Sequence, residues 1–268
     1  MIGKKLRRGL KKAYSILIRK KQKNVLKIPL QLRLGNLLYF YLHCHKMKLQ
    51  NKEVYILHTE TMDYWLKYFP NLKDFVLHSD DFKFYDNLDY FSSYYQNFGI
   101  DFNINELTDF INQYILTESF FKNFAVEHRT VINIRRGDFY SSEKKSPSEF
   151  DQIQYVKRIF KNHPELLTLP VFVISDDISW CQKELYFLEK VSHLHFLPDN
   201  KPIDDFIAIS TAKNLIVTNS TFSYWGGYIS KVINKENLVI APNFGATFYK
   251  DSIAIQLHSD WKIEDIIN

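Results

Sequence analysis

Cysteine is nearly absent from this chain: 268 residues hold only Cys44 and Cys181. Two cysteines make no disulfide framework, so a reducing, cytoplasmic setting is expected. No apolar run approaches the roughly 18 residues of a membrane span. Charge interrupts the N-terminal apolar residues, so no signal peptide is expected. Acidic residues are missing before Glu53, while 15 of the 35 Lys and Arg lie in residues 1–52. That leaves 20 basic against 30 acidic residues over 53–268, an acidic body that a nucleic-acid-binding protein would not have. There is no G-x-S-x-G, no Cys–His signature and no Walker loop. His43 and His45 fall on different faces of one helix. His58, His78, His128, His163, His193, His195 and His258 show no ligand spacing either. Neither an internal repeat nor a low-complexity linker appears.

What is present supports well-filled cores: 46% of residues are apolar and 16% aromatic. The length suits two ordinary domains or one large one. Residues 1–24 read as a helix with Leu6, Leu10, Ala13, Tyr14 and Leu17 along one stripe and Lys4, Lys5, Arg8, Lys11 and Lys12 mainly elsewhere. Such a segment suits peripheral contact with an anionic membrane, on its inner face; a solvated tail is the plainer alternative, and an RNA-binding arm a third that has only Tyr14 for aromatic interleaving.

From Val25 onward strands and helices are expected to alternate. Strands are expected at 25–34, 54–58, 130–134, 171–174, 193–196, 215–218 and 238–240. Helices are expected at 37–49, 63–69, 104–124, 150–162, 178–188, 203–211 and 220–233. Alternation at this spacing means parallel sheets covered on both faces. The aromatic-dense stretch 70–103 reads as core packing by default, or as a sugar-stacking surface.

The chain is organised around Val131–Tyr140, where a buried strand runs into Arg135, Arg136, Gly137 and Asp138. Open α/β sheets bind ligands beyond such carboxyl ends, and paired guanidinium forks match a diphosphate. The alternative is that both arginines are solvated or paired with Asp138 and Glu143. Asp176 and Asp177 follow the next strand, where one carboxylate could meet a nucleotide and the other cap a helix, with Mg²⁺ binding as a third option. Asn219, Ser220 and Thr221 close another strand and open a helix, an arrangement suited to anions or simply to capping.

These segments resemble a known family. Arg135-Arg136-Gly137-Asp138 is similar to the H-x-R-R-x-D motif of α-1,2-fucosyltransferases. Phe172 with Ser175-Asp176-Asp177 and Trp180-Cys181 resembles F-x-S-D-D-x-x-W-C. The run Asn219-Ser220-Thr221-Phe222-Ser223-Tyr224-Trp225 resembles N-S-T-F-S-W-W. Leu34-Gly35-Asn36 before Tyr39-Phe40-Tyr41 is similar to the opening G-G-L-G-N-Q-x-F-x-Y, and Tyr90-Phe91-Ser92-Ser93 stands where G-Y-F-Q-S is found. Departures from the pattern include Asn133 for the histidine, Arg33 for a glycine and Leu37 for the glutamine.

The resemblance implies an α/β, GT-B-like fold with two Rossmann-like domains, each with a parallel sheet. Residues 1–24 would be a basic appendage, 25–128 the acceptor-side domain and 129–268 the nucleotide-sugar domain. It implies inverting transfer of L-fucose from GDP-fucose to the 2-hydroxyl of a galactoside in a surface polysaccharide or lipid-linked glycan, with no metal or other cofactor. The partners would be the nucleotide sugar and the glycan acceptor. The same fold using another nucleotide-deoxysugar, or a non-catalytic sugar-nucleotide or glycan-binding protein, are the rivals. Arg136 with Ser220 and Thr221 would grip the diphosphate, Arg135 assisting. Asn133, Asn219 and one of Asp176 and Asp177 would complete the nucleotide site. Asp138 is the general-base candidate, or else it orients the arginines.

Overall fold

The computed structural model describes residues 22–117, 127–137, 151–188, 193–197, 201–244 and 254–265. Asp138, the loop at 140–147 and the basic stretch up to residue 21 lie outside the described residues.

The N-terminal sheet is four-stranded and wholly parallel. Its strands are β1 (Asn24–Lys27), β2 (Val54–Leu57), β3 (Val76–Leu77) and β4 (Asn87–Tyr90), in the order β3-β2-β1-β4. Between β1 and β2 runs α1 (Leu34–Leu49), and α2 (Glu60–Trp65) follows β2. Further on, α3 (Ile104–Phe110) begins with a reciprocal capping box between Asn103 and Glu106. The second sheet has six parallel strands: β5 (Glu127–Ile134), β6 (Val171–Ser175), β7 (Leu194–Phe196), β8 (Ala212–Val217), β9 (Leu238–Pro242) and β10 (Lys262–Glu264). Their order is β10-β9-β8-β5-β6-β7. The helices of this half are α4 (Gln152–Asn162), α5 (Ile178–Glu184), α6 (Pro202–Ser210) and α7 (Thr221–Ile233).

Each sheet reverses its direction of growth once. The first steps from β1 outward to β3 and then places β4 on β1's other side. The second steps from β5 to β7 and then places β8 beside β5. Crevices open at the carboxyl ends of the strands flanking such reversals. β5 is the central strand of its sheet, with Val131, Ile132 and Ile134 all at most 1% exposed. Strands covered on both faces need that continuous apolar run, which is why the alternation was readable.

Helix α1 starts at Leu34, three residues earlier than the periodicity suggests, and β1 ends at Lys27 rather than at residue 34. Residues 28–33 are instead a connection, which Pro29 suits because it gives a strand no N–H. Strand β4 was not expected. All four of its residues are exposed, so it has no burial pattern to betray it. The aromatic stretch divides: Phe91, Tyr95 and Phe98 pack against the core, while Phe84 and Tyr90 are largely exposed.

One apolar cluster joins the halves. Tyr39 of α1 packs against Trp225 of α7 with ring centroids 5.1 Å apart, and its hydroxyl lies 3.2 Å from that of Tyr228. Trp65, Phe69, Phe206 and Phe222 extend the same contact. A second, smaller cluster fills the far side of the six-stranded sheet around Ile159, Phe160 and Val173.

Candidate functional site

A cavity of about 840 Å³ lies where the two reversals face each other, a volume suited to a small-molecule ligand. The connection after β1 contributes Arg33, Gly35 and Asn36. The end of β5 contributes Asn133 and Arg135, the end of β6 Ser175 and Asp176, and the link from β8 to α7 Asn219, Ser220 and Thr221.

Alternation along β5 turns Asn133 and Arg135 to one side, and both line the cavity. Arg135 Nη1 pairs with Asp176 Oδ2 at 2.9 Å, with both side chains about a quarter exposed or less. The other carboxylate oxygen, Asp176 Oδ1, accepts the backbone N–H of Arg136 at 2.8 Å. Gln152 at the start of α4 donates to the Arg135 carbonyl at 3.0 Å, fixing the turn from behind. Gly137 completes it, because a Cβ there would run into the Asp176 carboxylate. Asn133 is only 6% exposed and is held at both ends: its Nδ2 donates to the Ile174 carbonyl at 3.2 Å, and its Oδ1 accepts from Ser223 Oγ.

Two expected contacts stand elsewhere. The Arg136 guanidinium lies over the Trp180 indole, 3.9 Å from the ring centroid, and does not line the cavity. Asp177 caps α5 by accepting the Trp180 N–H at 3.0 Å, and it too is outside the lining. Of the two arginines, then, Arg135 faces the cavity. Of the two aspartates, Asp176 does.

The N-termini of two long helices meet at the floor. At Gly35 the chain of α1 passes so close to α7 that a Cβ would stand 2.5 Å from Thr221 Oγ1 and 2.6 Å from Phe222 N. Neither helix has a side-chain cap or an acidic residue in its first turn. Their first-turn N–H groups therefore lack the usual side-chain acceptors, and both positive ends of the peptide dipoles point to one place. Asn219 lies there, 3% exposed, with neither end of its amide hydrogen-bonded among the described residues. Tyr224 lies there as well, 2% exposed, with a hydroxyl that has no hydrogen-bond partner among the described residues. Burial pushes the Tyr224 hydroxyl far above its ordinary pKa, so it is a fixed neutral donor. Other buried polar atoms also lack partners, but these two residues stand on one cavity wall, where a ligand could supply them.

Sequence reasoning missed Gln31, Gln96 and Gln256, which line the cavity from three separate segments. It also missed Tyr64, Trp65 and Asp205, whereas Tyr94 belongs to the aromatic stretch read as core packing or as a sugar-stacking surface. Isolated amides and aromatics carry no motif. Tyr224 did leave a signal, for it occupies the first tryptophan position of N-S-T-F-S-W-W. Among the described residues, no three His, Cys, Asp or Glu side chains are placed to hold a metal ion. Among them also, no helix is long and apolar enough to cross a membrane.

Two parallel α/β layers with their switch points face to face define a two-lobed architecture of the GT-B kind. The profile of Glycosyl transferase family 11 matches residues 25–264, and the chain belongs to that family. The chain is 33% identical over 107 residues to an α-1,2-colitosyltransferase of Escherichia coli, 37% of this chain and 35% of that protein. It is 27% identical over 136 residues to a galactoside 2-α-L-fucosyltransferase of Caenorhabditis elegans, 46% of this chain and 35% of that one. The matches thus span about a third of the length of either relative. Among solved structures, the E. coli heptosyltransferase WaaC with ADP superposes over 91% of this chain and 93% of its own, with a TM-score of 0.47 and 7% identity. POFUT1 in complex with GDP covers 84% and 75%, with a TM-score of 0.36 and 12% identity.

Proposed function

We propose that the cavity binds GDP-fucose and that the enzyme transfers the sugar, with inversion, to the 2-hydroxyl of a galactoside. The observation that carries this reading is the convergence of Arg135, the unpartnered Asn219 amide and two uncapped helix N-termini on one spot. That set supplies positive potential and hydrogen-bond donors without a metal, which is what a departing diphosphate needs. Family membership and the names of both relatives, each giving a 2-linked transfer, support the choice of reaction.

In the reaction the bond from C1 to the diphosphate oxygen breaks and a bond from C1 to the acceptor oxygen forms. The electron pair leaves with GDP, whose growing charge Arg135 and the helix ends offset more strongly in the transition state than in the bound substrate. The acceptor proton goes to a carboxylate, in this reading Asp138. Arg136 supports the site indirectly, through its backbone N–H on Asp176 and its stack on Trp180. The half built on β1–β4 serves the acceptor, and residues 1–24 rest on an anionic membrane.

Incubating the protein with a panel of nucleotide sugars and galactoside acceptors, read by mass spectrometry, tests the proposal. A fucosylated product that persists in excess EDTA is expected. No product from any donor would overturn it. Product only with another deoxysugar nucleotide would favour the second reading, which the colitosyltransferase relative supports.

A further inference from the structure

Three amides from three distant parts of the chain are joined end to end along the cavity wall. Gln256 Nε2 donates to Gln96 Oε1 at 2.8 Å, and Gln96 Nε2 donates to Asn36 Oδ1 at 2.8 Å. All three residues line the cavity. The row is held from behind, since the Tyr228 hydroxyl donates to the Gln256 carbonyl and also meets the Tyr39 hydroxyl. It leaves unused groups at its ends. Asn36 Nδ2 and Gln256 Oε1 make no hydrogen bond among the described residues. A row of amides with donors free at one end and an acceptor free at the other has no charge to attract an ion. It matches a neutral ligand whose own groups both donate and accept, that is, neighbouring hydroxyls.

Position and an aromatic neighbour narrow the ligand. Asn36 follows Gly35, the residue that meets Thr221 at the anion site, so the row starts beside that site and runs away from it. Tyr94 lines the same cavity, is 41% exposed, and is backed by Phe40 and Phe91. A partly exposed ring beside an amide row presents an apolar face and polar edges together, as a pyranose does.

We infer that Asn36, Gln96, Gln256 and Tyr94 form the saccharide acceptor subsite, and that Gln96 and Gln256 decide which hydroxyl pattern is accepted. This rests on the transferase reading of the cavity. The amides grip two neighbouring hydroxyls of the acceptor, Tyr94 covers one face of its ring, and a third hydroxyl is left toward the anion site. Gln96 and Gln256 act on selection rather than on the bond that breaks.

The test measures saccharide contact without any donor. Saturation-transfer NMR is run on the full chain and on Gln96→Leu, Gln256→Leu and Tyr94→Ala. The probes are methyl β-galactoside, methyl β-glucoside and methyl β-N-acetylglucosaminide, and GDP affinity is followed by calorimetry. Tyr94→Ala changes a partly exposed side chain, so it reports even if an amide variant fails to fold. The natural chain is expected to bind one pyranoside in preference to the others. Each variant is expected to weaken that binding at least about fivefold, roughly the loss of one net hydrogen bond or a comparable ring contact, with GDP affinity kept within about twofold. Unchanged saccharide binding in all variants, or no saccharide binding by the natural chain, overturns the inference. So does a loss of GDP affinity with saccharide binding preserved, since the row would then serve the donor. Saccharide binding that depends on the row in a protein that binds no GDP keeps the subsite and removes the donor reading instead.

Discussion

The two arginines after β5 separate by the direction each guanidinium takes. Arg135 faces the cavity and pairs with Asp176, whereas Arg136 lies flat on Trp180. Arg135→Lys keeps the charge but loses the fork, and a fall in transfer rate of at least about tenfold is expected, roughly 1.4 kcal/mol. Arg136→Lys gives up a stacked cation worth about 1 kcal/mol, so it should lower the melting temperature and change the rate less than threefold. Steady-state kinetics and thermal melts on both variants check the pair. Equal rate losses would mean that the Arg136 guanidinium serves the ligand too. Tyr224→Phe is expected to behave in the opposite sense. Removing an unpartnered buried hydroxyl should leave stability unchanged or slightly raised, while GDP affinity falls about threefold to tenfold by calorimetry. Unchanged affinity would place that hydroxyl outside the ligand's reach. The motifs made the presence of these groups legible, because chemistry restricts which residues can end a strand beside a ligand. They could not show which of two neighbouring arginines or aspartates faces inward, since that depends on Gly137 and Gln152 closing the turn. The amides were illegible because Gln31, Gln96 and Gln256 come to one cavity only through the fold.

Helices α1 and α7 carry the site, and their closeness rests on one missing methyl group. Gly35→Ala would press a Cβ against Thr221 and the backbone of Phe222, and neither backbone can move aside cheaply. The variant should melt at lower temperature by an amount equivalent to about 1–3 kcal/mol and bind GDP at least tenfold more weakly. An alanine that leaves both unchanged would show that the two helix ends are not in fact pressed together. Element boundaries in the second half were readable because strands buried on both faces and an amphipathic helix such as α4 leave opposite patterns. Strand β4 left none, being exposed throughout. The early start of α1 was hidden as well, because Arg33 gives no side-chain cap at its N-terminus.

At the scale of the molecule, one apolar cluster running through both sheets should make unfolding a single transition. Acid should weaken it. Burial, with Lys46 adding to it, lowers His43 to about 4 although Asp101 opposes, and burial lowers His45 and His258 as well. Each folded value lies below the unfolded one near 6.5, so the unfolded chain takes up protons first and stability falls as pH drops from about 6.5 toward 4. For His43 the loss amounts to about 2–3 kcal/mol once its partial exposure is allowed for. Melting curves of the natural chain and of His43→Gln over that range check this; parallel pH dependence would remove His43 as the cause. Above pH 6.5 this contribution is fully present.

Two helices that begin side by side would, with a nucleotide in the proposed site, also tie the endurance of the fold to its supply of ligand. Each N-terminus carries about half a positive charge, so the empty protein holds like charges together and a bound dianion relieves them. By mass action, GDP at a hundred times its dissociation constant should add about 2.7 kcal/mol, and the melting temperature should climb by roughly 5–10 °C. Salt that screens the repulsion should reproduce a small part of that gain. In the proposed reading the full thermal margin requires bound nucleotide, and a falling donor supply would erode stability while the site was still close to saturated.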